Sequence, residues 1–94
     1  MSSNEPDPIE LPIDGVLDLH HFNPNEVGDL IPDYIDACLE RNIHSLRIIH
    51  GKGKGVLRRT VHALLQKHKK VKSYRLATDS SSWGATLVEL QNNN

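Results

Sequence analysis

Two short runs in this chain hold side chains suited to chemistry on an anion. One is Asp18-Leu19-His20; the other is His50-Gly51-Lys52-Gly53-Lys54-Gly55, with Val56-Leu57-Arg58-Arg59 behind it. On a strand, Asp18 and His20 leave the same face about 7 Å apart at Cβ. A carboxylate beside an imidazole suits general-base catalysis, the acid orienting or charging the ring, or a shared divalent metal. The plain alternative is a polar face turned to solvent.

The second run stands between a short β-branched segment, Ser45–Ile49, and a helical pattern opening at Val56. Backbone N–H groups at a helix N-terminus lack internal partners and can bind an anion. Glycine lets the backbone approach closely, and Lys52 and Lys54 add charge where the helix dipole favours an anion. No standard nucleotide motif fits. A dinucleotide fingerprint needs glycine where Val56 stands, and a P-loop needs Gly-Lys-Ser/Thr, so no nucleotide cofactor is expected. His50 is placed to protonate a leaving oxygen or to bind a phosphate as imidazolium; a locally hydrogen-bonded strand-end histidine is the alternative. Arg58, on the first helical turn, can grip phosphate in a bidentate manner. Arg59, Lys67, Lys69, Lys70 and Lys72 would extend a basic track for a nucleic-acid backbone.

The remaining candidates carry less. Phe22 suits a hydrophobic staple better than base stacking, and Trp83 can stack on a base or cap the core. Asp79 is a possible metal ligand, although loop aspartates more often make Asx-turns. His44, His62 and His68 lack metal-ligand spacing with any cysteine or acid, which disfavours zinc. Cys38 falls on an apolar stripe and reads as a core filler.

Ninety-four residues, 37% hydrophobic and 24% charged, are expected to make one globular domain. A lone cysteine gives no internal disulfide, no signal peptide is visible, and no apolar run approaches the ~18 residues of a membrane span. A soluble, cytoplasmic chain with no membrane partner is the expectation. The net charge of −1 conceals segregation: ten of twelve acids fall in residues 1–40, which have no Lys or Arg, while all eleven Lys and Arg fall in residues 41–78, which have no acid. This points to a polyanionic partner, or to an acidic helix packed beside a basic one.

The elements that would position these residues follow from periodicity. Residues 1–12, with three prolines, form a flexible lead-in, and 91–94 a polar tail. Val16–His20 alternates as a first strand, with Leu17 and Leu19 on one face. Asn23, Pro24 and Glu26 open a helix as N-cap, N1 and N3. Val27, Leu30, Ile31, Tyr34, Ile35, Cys38 and Leu39 form its buried stripe, Pro32 is expected to kink it above Gly28, and Asn42 ends it in the αL conformation. Ser45–Ile49 is the second strand. Leu57, Val61, Leu64, Leu65 and His68 form the second helix's stripe, with His62 largely outside it. Lys72–Ala77 and Ala85–Leu90 are the last strands. The order β-α-β-α-β-β implies an α/β sandwich of two layers: a mixed four-stranded sheet with helices on one face. Three parallel strands end at one edge, and the last returns antiparallel by a hairpin. Asp18–His21, His50 with the glycine loop, and Asp79–Trp83 converge there, at the carboxyl ends where open α/β sheets bind ligands.

Together, Leu17-Asp18-Leu19-His20, His50 through Arg58, and Gly84-Ala85-Thr86-Leu87-Val88-Glu89-Leu90 resemble the small MutS-related, or Smr, domain family over residues 13–90. The resemblance implies a fold like the C-terminal domain of bacterial translation initiation factor three. It also implies nicking-endonuclease activity on DNA, with RNA in some members, and a link to repair or recombination. It assigns Asp18 and His20 to the active site, and His50, Gly51, Lys52 and Gly53 to the loop that engages nucleic acid, supported by Arg58. His21 departs from the glycine many members have there, adding bulk and a titratable group. A stand-alone endonuclease is expected, in which Gly51–Gly55, Arg58 and Arg59 hold the phosphate. Asp18 and His20 would activate water, directly or through Mg²⁺ or Mn²⁺ held with Asp79 as a further possible ligand, and His50 would assist the leaving group. Any mismatch recognition would come from a separate protein in repair. The alternatives are a non-catalytic module binding a DNA or RNA backbone or a branched structure, and a protein-interaction module built on the acidic first helix.

Overall fold

The computed structural model describes residues 12–51, 55–78 and 84–91. Lys52, Gly53, Lys54, Asp79, Trp83, nearly all of the lead-in and most of the tail lie outside them. The elements are β1 (Val16–Asp18), a 3₁₀ turn (Pro24–Glu26), α1 (Val27–Glu40), β2 (Ser45–Ile49), α2 (Val56–Lys67), β3 (Val71–Leu76) and β4 (Ala85–Leu90). The sheet order is β1-β2-β4-β3. β1 runs parallel to β2, and β4 is antiparallel to both β2 and β3, so β1, β2 and β3 share one direction. The hairpin's return strand is therefore inserted between β2 and β3, which explains why β4 is the most buried strand.

Period-two alternation turns Leu17, Leu46, Ile48, Val88 and Leu90 into one cluster with Val27, Ile31, Tyr34, Ile35 and Cys38 of α1 and Val61 and Leu65 of α2. Burying side chains of this size contributes roughly 1.5–3 kcal/mol each, which is where a domain this small finds its stability. Cys38 is fully buried, its thiol pushed up by that burial, so it fills the core as its place on the stripe predicts. The opposite sheet face is open, and Val16, Arg47, Arg75 and Glu89 line a shallow groove of about 360 Å³ across it.

Local signals explain the boundaries. β1 stops at Asp18 rather than His20: the Asp18 carboxylate accepts the His20 N–H at 3.1 Å and turns the chain off the ladder. Leu19 N–H still reaches Ile49 O at 2.7 Å. Asn23 N–H donates to Glu26 Oε1 at 2.8 Å, but the turn this opens is 3₁₀ and passes into α1 only at Val27. Phe22 packs against the core just before that cap, as a staple does. α1 runs through Pro32. It ends in a Schellman arrangement: Asn42 has φ 63°, Ile43 N–H reaches Cys38 O at 2.9 Å, and Asn42 N–H reaches Leu39 O at 3.1 Å. β3 begins and ends one residue earlier than its pattern predicts, and its register against β4 slips between Val71 and Ser73.

Candidate active site

At the carboxyl ends of β1 and β2 the start of β4 closes the edge, because Gly84 O accepts from both His50 N–H and Gly51 N–H at 2.9 Å. Gly51, at φ 84°, turns the chain off β2, and a methyl there would lie 3.8 Å from His20 Cβ. Gly55, at φ 83°, is the N-cap of α2 and has no side chain with which to satisfy the helix's first amides. A methyl at Gly55 would stand 3.0 Å from Arg58 Nη2 and 3.2 Å from Arg59 Nη1. Both guanidinium groups therefore fold back over the helix N-terminus. His20, His50, Gly51, Gly55 and Arg58 line one hollow of about 320 Å³.

Asp18 and His20 form a tight pair across the outer side of this hollow. Oδ1 of Asp18 is 2.5 Å from Nδ1 of His20 and also accepts the His20 amide. The hydrogen bond from the His20 ring, against a smaller upward push from partial burial, holds the Asp18 carboxyl below its ordinary value. The carboxylate remains an acceptor and commits Nδ1 to carry hydrogen, leaving Nε2 with no partner among the described residues. Each side chain is 49% exposed, so the pair is open to a large substrate. The His21 ring lies 3.8 Å from that of His20, tilted by 43°.

His50 is placed differently. β2's alternation carries past its end, so His50 follows Leu46 and Ile48 onto the core face and is only 5% exposed. Its Nδ1 lies 3.0 Å from Gly51 O and its Nε2 lies 2.8 Å from Thr86 Oγ1. Thr86 Oγ1 is in turn 2.7 Å from His62 Nε2. Burial lowers the pKa of both imidazoles; Arg58 pushes each the same way, the Gly51 carbonyl partly opposes the shift at His50, and His50 adds to it at His62. Both ring nitrogens of His50 are thus engaged inside the protein.

The structure brings together His20, His50, Gly51, Gly55 and Arg58, with Asp18 behind His20, while Arg59 stands at the rim. Thr86 and His62 are the members sequence reasoning missed. The alternation Thr86, Val88, Leu90 was the available signal for the first; His62 lies beside Val61, on the margin of a helical stripe that counts only apolar residues. Among the described residues no three His, Cys, Asp or Glu side chains converge to hold a metal. Asp18 and His20 spend their facing atoms on each other, so among the described residues the two do not by themselves make a site for a resident divalent ion.

A profile described as the Smr domain matches residues 17–91. The chain belongs to the Smr domain family. It is 42% identical over 76 residues to Endonuclease MutS2 of Brevibacillus brevis, which covers 80% of this chain and 10% of that protein. The Staphylococcus haemolyticus Endonuclease MutS2 is 40% identical over 76 residues, again 80% of this chain and 10% of the relative. This Smr chain thus spans about a tenth of the length of the curated relatives it matches. Among solved structures, the Smr domain of Thermus thermophilus MutS2 aligns with a TM-score of 0.77 and 27% identity over 81% of this chain and 96% of that one. YdaL, a stand-alone small MutS-related protein from Escherichia coli, aligns with a TM-score of 0.77 and 25% identity over 87% of this chain and 68% of that one. The mixed four-stranded sheet with two helices is the fold of these Smr domains. Among the described residues no helix is long and apolar enough to cross a membrane.

Proposed function

We propose that this Smr domain is a nucleic-acid endonuclease that nicks DNA and accepts RNA as a second substrate, in the service of repair or recombination. The observation that carries this reading is a carboxylate-oriented imidazole, whose Nε2 has no partner among the described residues, beside a hollow whose other wall is a helix N-terminus folded over by Arg58. The similarity to proteins called Endonuclease MutS2 supports it.

The phosphodiester is held at the N-terminus of α2, where the first helical amides, given no side-chain cap by Gly55, and the Arg58 guanidinium meet its non-bridging oxygens. His20 Nε2 takes the proton of the attacking water as its oxygen bonds to phosphorus, and Asp18 stabilises the imidazolium that forms. The bond to the leaving oxygen breaks while Arg58 offsets the charge on the phosphoryl oxygens, and the departing oxygen takes its proton from solvent water at this exposed site. On RNA the 2′-hydroxyl can replace water as the nucleophile. No step is routed through a metal ion, since among the described residues Asp18 and His20 are turned on each other. Nor is the leaving-group step given to His50, whose ring nitrogens are both engaged.

A second reading, a non-catalytic module binding the nucleic-acid backbone, is favoured by that same engagement of His50, which leaves the site without the acid its sequence position promised. Nicking of supercoiled plasmid by the wild type, Asp18→Ala and Arg58→Ala, each with and without EDTA, separates the two. The endonuclease reading expects both variants to lose nicking and EDTA to leave the wild type active. Equal nicking by all three proteins marks contamination and ends it. Loss in EDTA would overturn the metal-free route and show that substrate and Asp18 together recruit a cation.

A further inference from the structure

The two contacts of Thr86 and that of His50 with Gly51 admit one pattern of donors when the buried rings are neutral. Gly51 O can only accept, so Nδ1 of His50 must carry hydrogen. In the neutral ring Nε2 is then an acceptor, and the Thr86 hydroxyl donates to it. Having spent its single hydrogen, Thr86 Oγ1 accepts from His62, which must be protonated at Nε2. The chain is directional: His62 to Thr86 to His50 to the Gly51 carbonyl. It ends on a group that takes up no proton, so it cannot deliver one to a substrate.

Gly51 is what the chain holds. Its N–H is tied to Gly84 O at 2.9 Å and its carbonyl to the His50 ring at 3.0 Å, so the peptides on both sides of its α-carbon are pinned. Gly51 in turn meets the base of His20, with a virtual methyl 3.8 Å from His20 Cβ, and faces Arg58 across the hollow. The chain is anchored in the fold at its far end as well, where the His62 ring lies 5.0 Å from that of Tyr74. Every side chain in it comes from a different element: His50 follows β2, His62 is on α2, Thr86 on β4 and Tyr74 on β3.

We propose that His50 is a positioning residue and not a proton donor, and that the His62–Thr86–His50 chain is the device that fixes Gly51 between His20 and Arg58. The inference deepens the endonuclease reading and rests on it for its functional arm. The tautomer pattern follows from the contacts of His50, Thr86 and His62 whether or not the protein cleaves nucleic acid. The groups facing the two rings are the Arg58 guanidinium, the Tyr74 ring, the Thr86 hydroxyl and the Gly51 carbonyl; Arg58 and burial both disfavour a charged ring here.

The decisive substitutions are His50→Asn and His50→Ala in the full chain. Asparagine keeps an N–H close to where Nδ1 stood and can still donate to Gly51 O, but it cannot act as an acid near neutral pH. Positioning predicts that His50→Asn nicks plasmid within about ten-fold of the wild type, a change of about 1.4 kcal/mol, and keeps the wild-type pH profile. His50→Ala should be slower again, by a further factor of ten or more. Proton donation predicts that Asn and Ala are equally inactive and that the alkaline limb of the profile disappears; that result overturns the proposal. Nitrogen-15 spectra of the wild-type histidine rings at pH 7.5 give the second readout, independent of activity and of the folding of any His50 variant. The expected spectra show His50 protonated at Nδ1 alone and His62 at Nε2 alone, with Thr86→Ser retaining the pattern and Thr86→Val losing it. A charged His50, or one protonated at Nε2 alone, overturns the proposal whether or not the protein nicks DNA. Absence of nicking by the wild type would count against the endonuclease reading and leave this tautomer test in force.

Discussion

Replacing Gly55 with alanine separates the stability of the α2 N-terminus from its hold on phosphate. At φ 83° an alanine must occupy the left-handed region, which costs roughly 1–2 kcal/mol. For a domain of this size each kcal/mol is worth about 4–8 °C in Tm, so a loss of roughly 4–16 °C is expected. The new methyl also meets Arg58 Nη2 at 3.0 Å and Arg59 Nη1 at 3.2 Å. These are the far ends of flexible side chains, so they move aside with little further cost to folding. The consequence falls on binding instead. A displaced Arg58 gives up a charge-assisted contact worth roughly 1.5–3 kcal/mol, or about 10- to 150-fold in affinity. Thermal unfolding by circular dichroism and fluorescence anisotropy with a labelled oligonucleotide read the two effects separately. Gly28→Ala is the control of opposite sign: a methyl there has nothing within 4 Å, so the helix should gain roughly 0.4–1 kcal/mol. An unchanged Tm in Gly55→Ala would refute the strained-cap argument. A lowered Tm with unchanged affinity would refute the assignment of Arg58 to phosphate.

Two further outcomes follow from buried polar groups. His50 and His62 have folded-state pKa values below the ordinary 6.5, so the unfolded chain binds more protons around that pH. Their contribution to stability is complete above about pH 6.5 and is lost as pH falls through the lowered folded values. Urea midpoints should therefore drop between pH 7.5 and 5, and His62→Gln should flatten that slope; a midpoint constant over this range would contradict the burial of neutral rings. The Tyr34 hydroxyl accepts the buried Gly15 N–H at 3.0 Å and donates to Val16 O at 3.3 Å, tying α1 to the start of β1. Tyr34→Phe should lose roughly 1–3 kcal/mol by orphaning that amide, seen as a lower Tm with faster exchange of the Gly15 amide; an unchanged Tm would mean another partner takes it up.

Most of the fold was legible because the periodic signals are strong. The apolar stripe of α1 and its αL stop at Asn42 are local properties, and so are the bounds of β2 and β4. The insertion of β4 between β2 and β3 was not read from the pattern, because the strand alternates like an edge strand, with Thr86, Val88 and Leu90 buried and Glu89 exposed on the other face. The Asp18–His20 pair could be seen as two residues on one face, but that Asp18 also ends β1 could not, because alternation gives no hint of a side chain capturing the next amide but one. At His50 two cues compete, and the glycine run behind it marks the ligand side. The alternation Leu46, Ile48, His50 already pointed inward. Thr86 and His62 were hidden for a related reason: in both, a polar side chain occupies an inward position that only tertiary hydrogen bonds make tolerable.

The claim on which the account depends is that the His20 imidazole moves the proton. The single-turnover nicking rate of His20→Ala, measured with and without added imidazole at pH 7.5, tests it most directly. Loss of a general base predicts a rate about 10²–10⁴-fold below wild type, partly restored in proportion to imidazole concentration. A His20→Ala rate equal to that of the wild type would contradict the account.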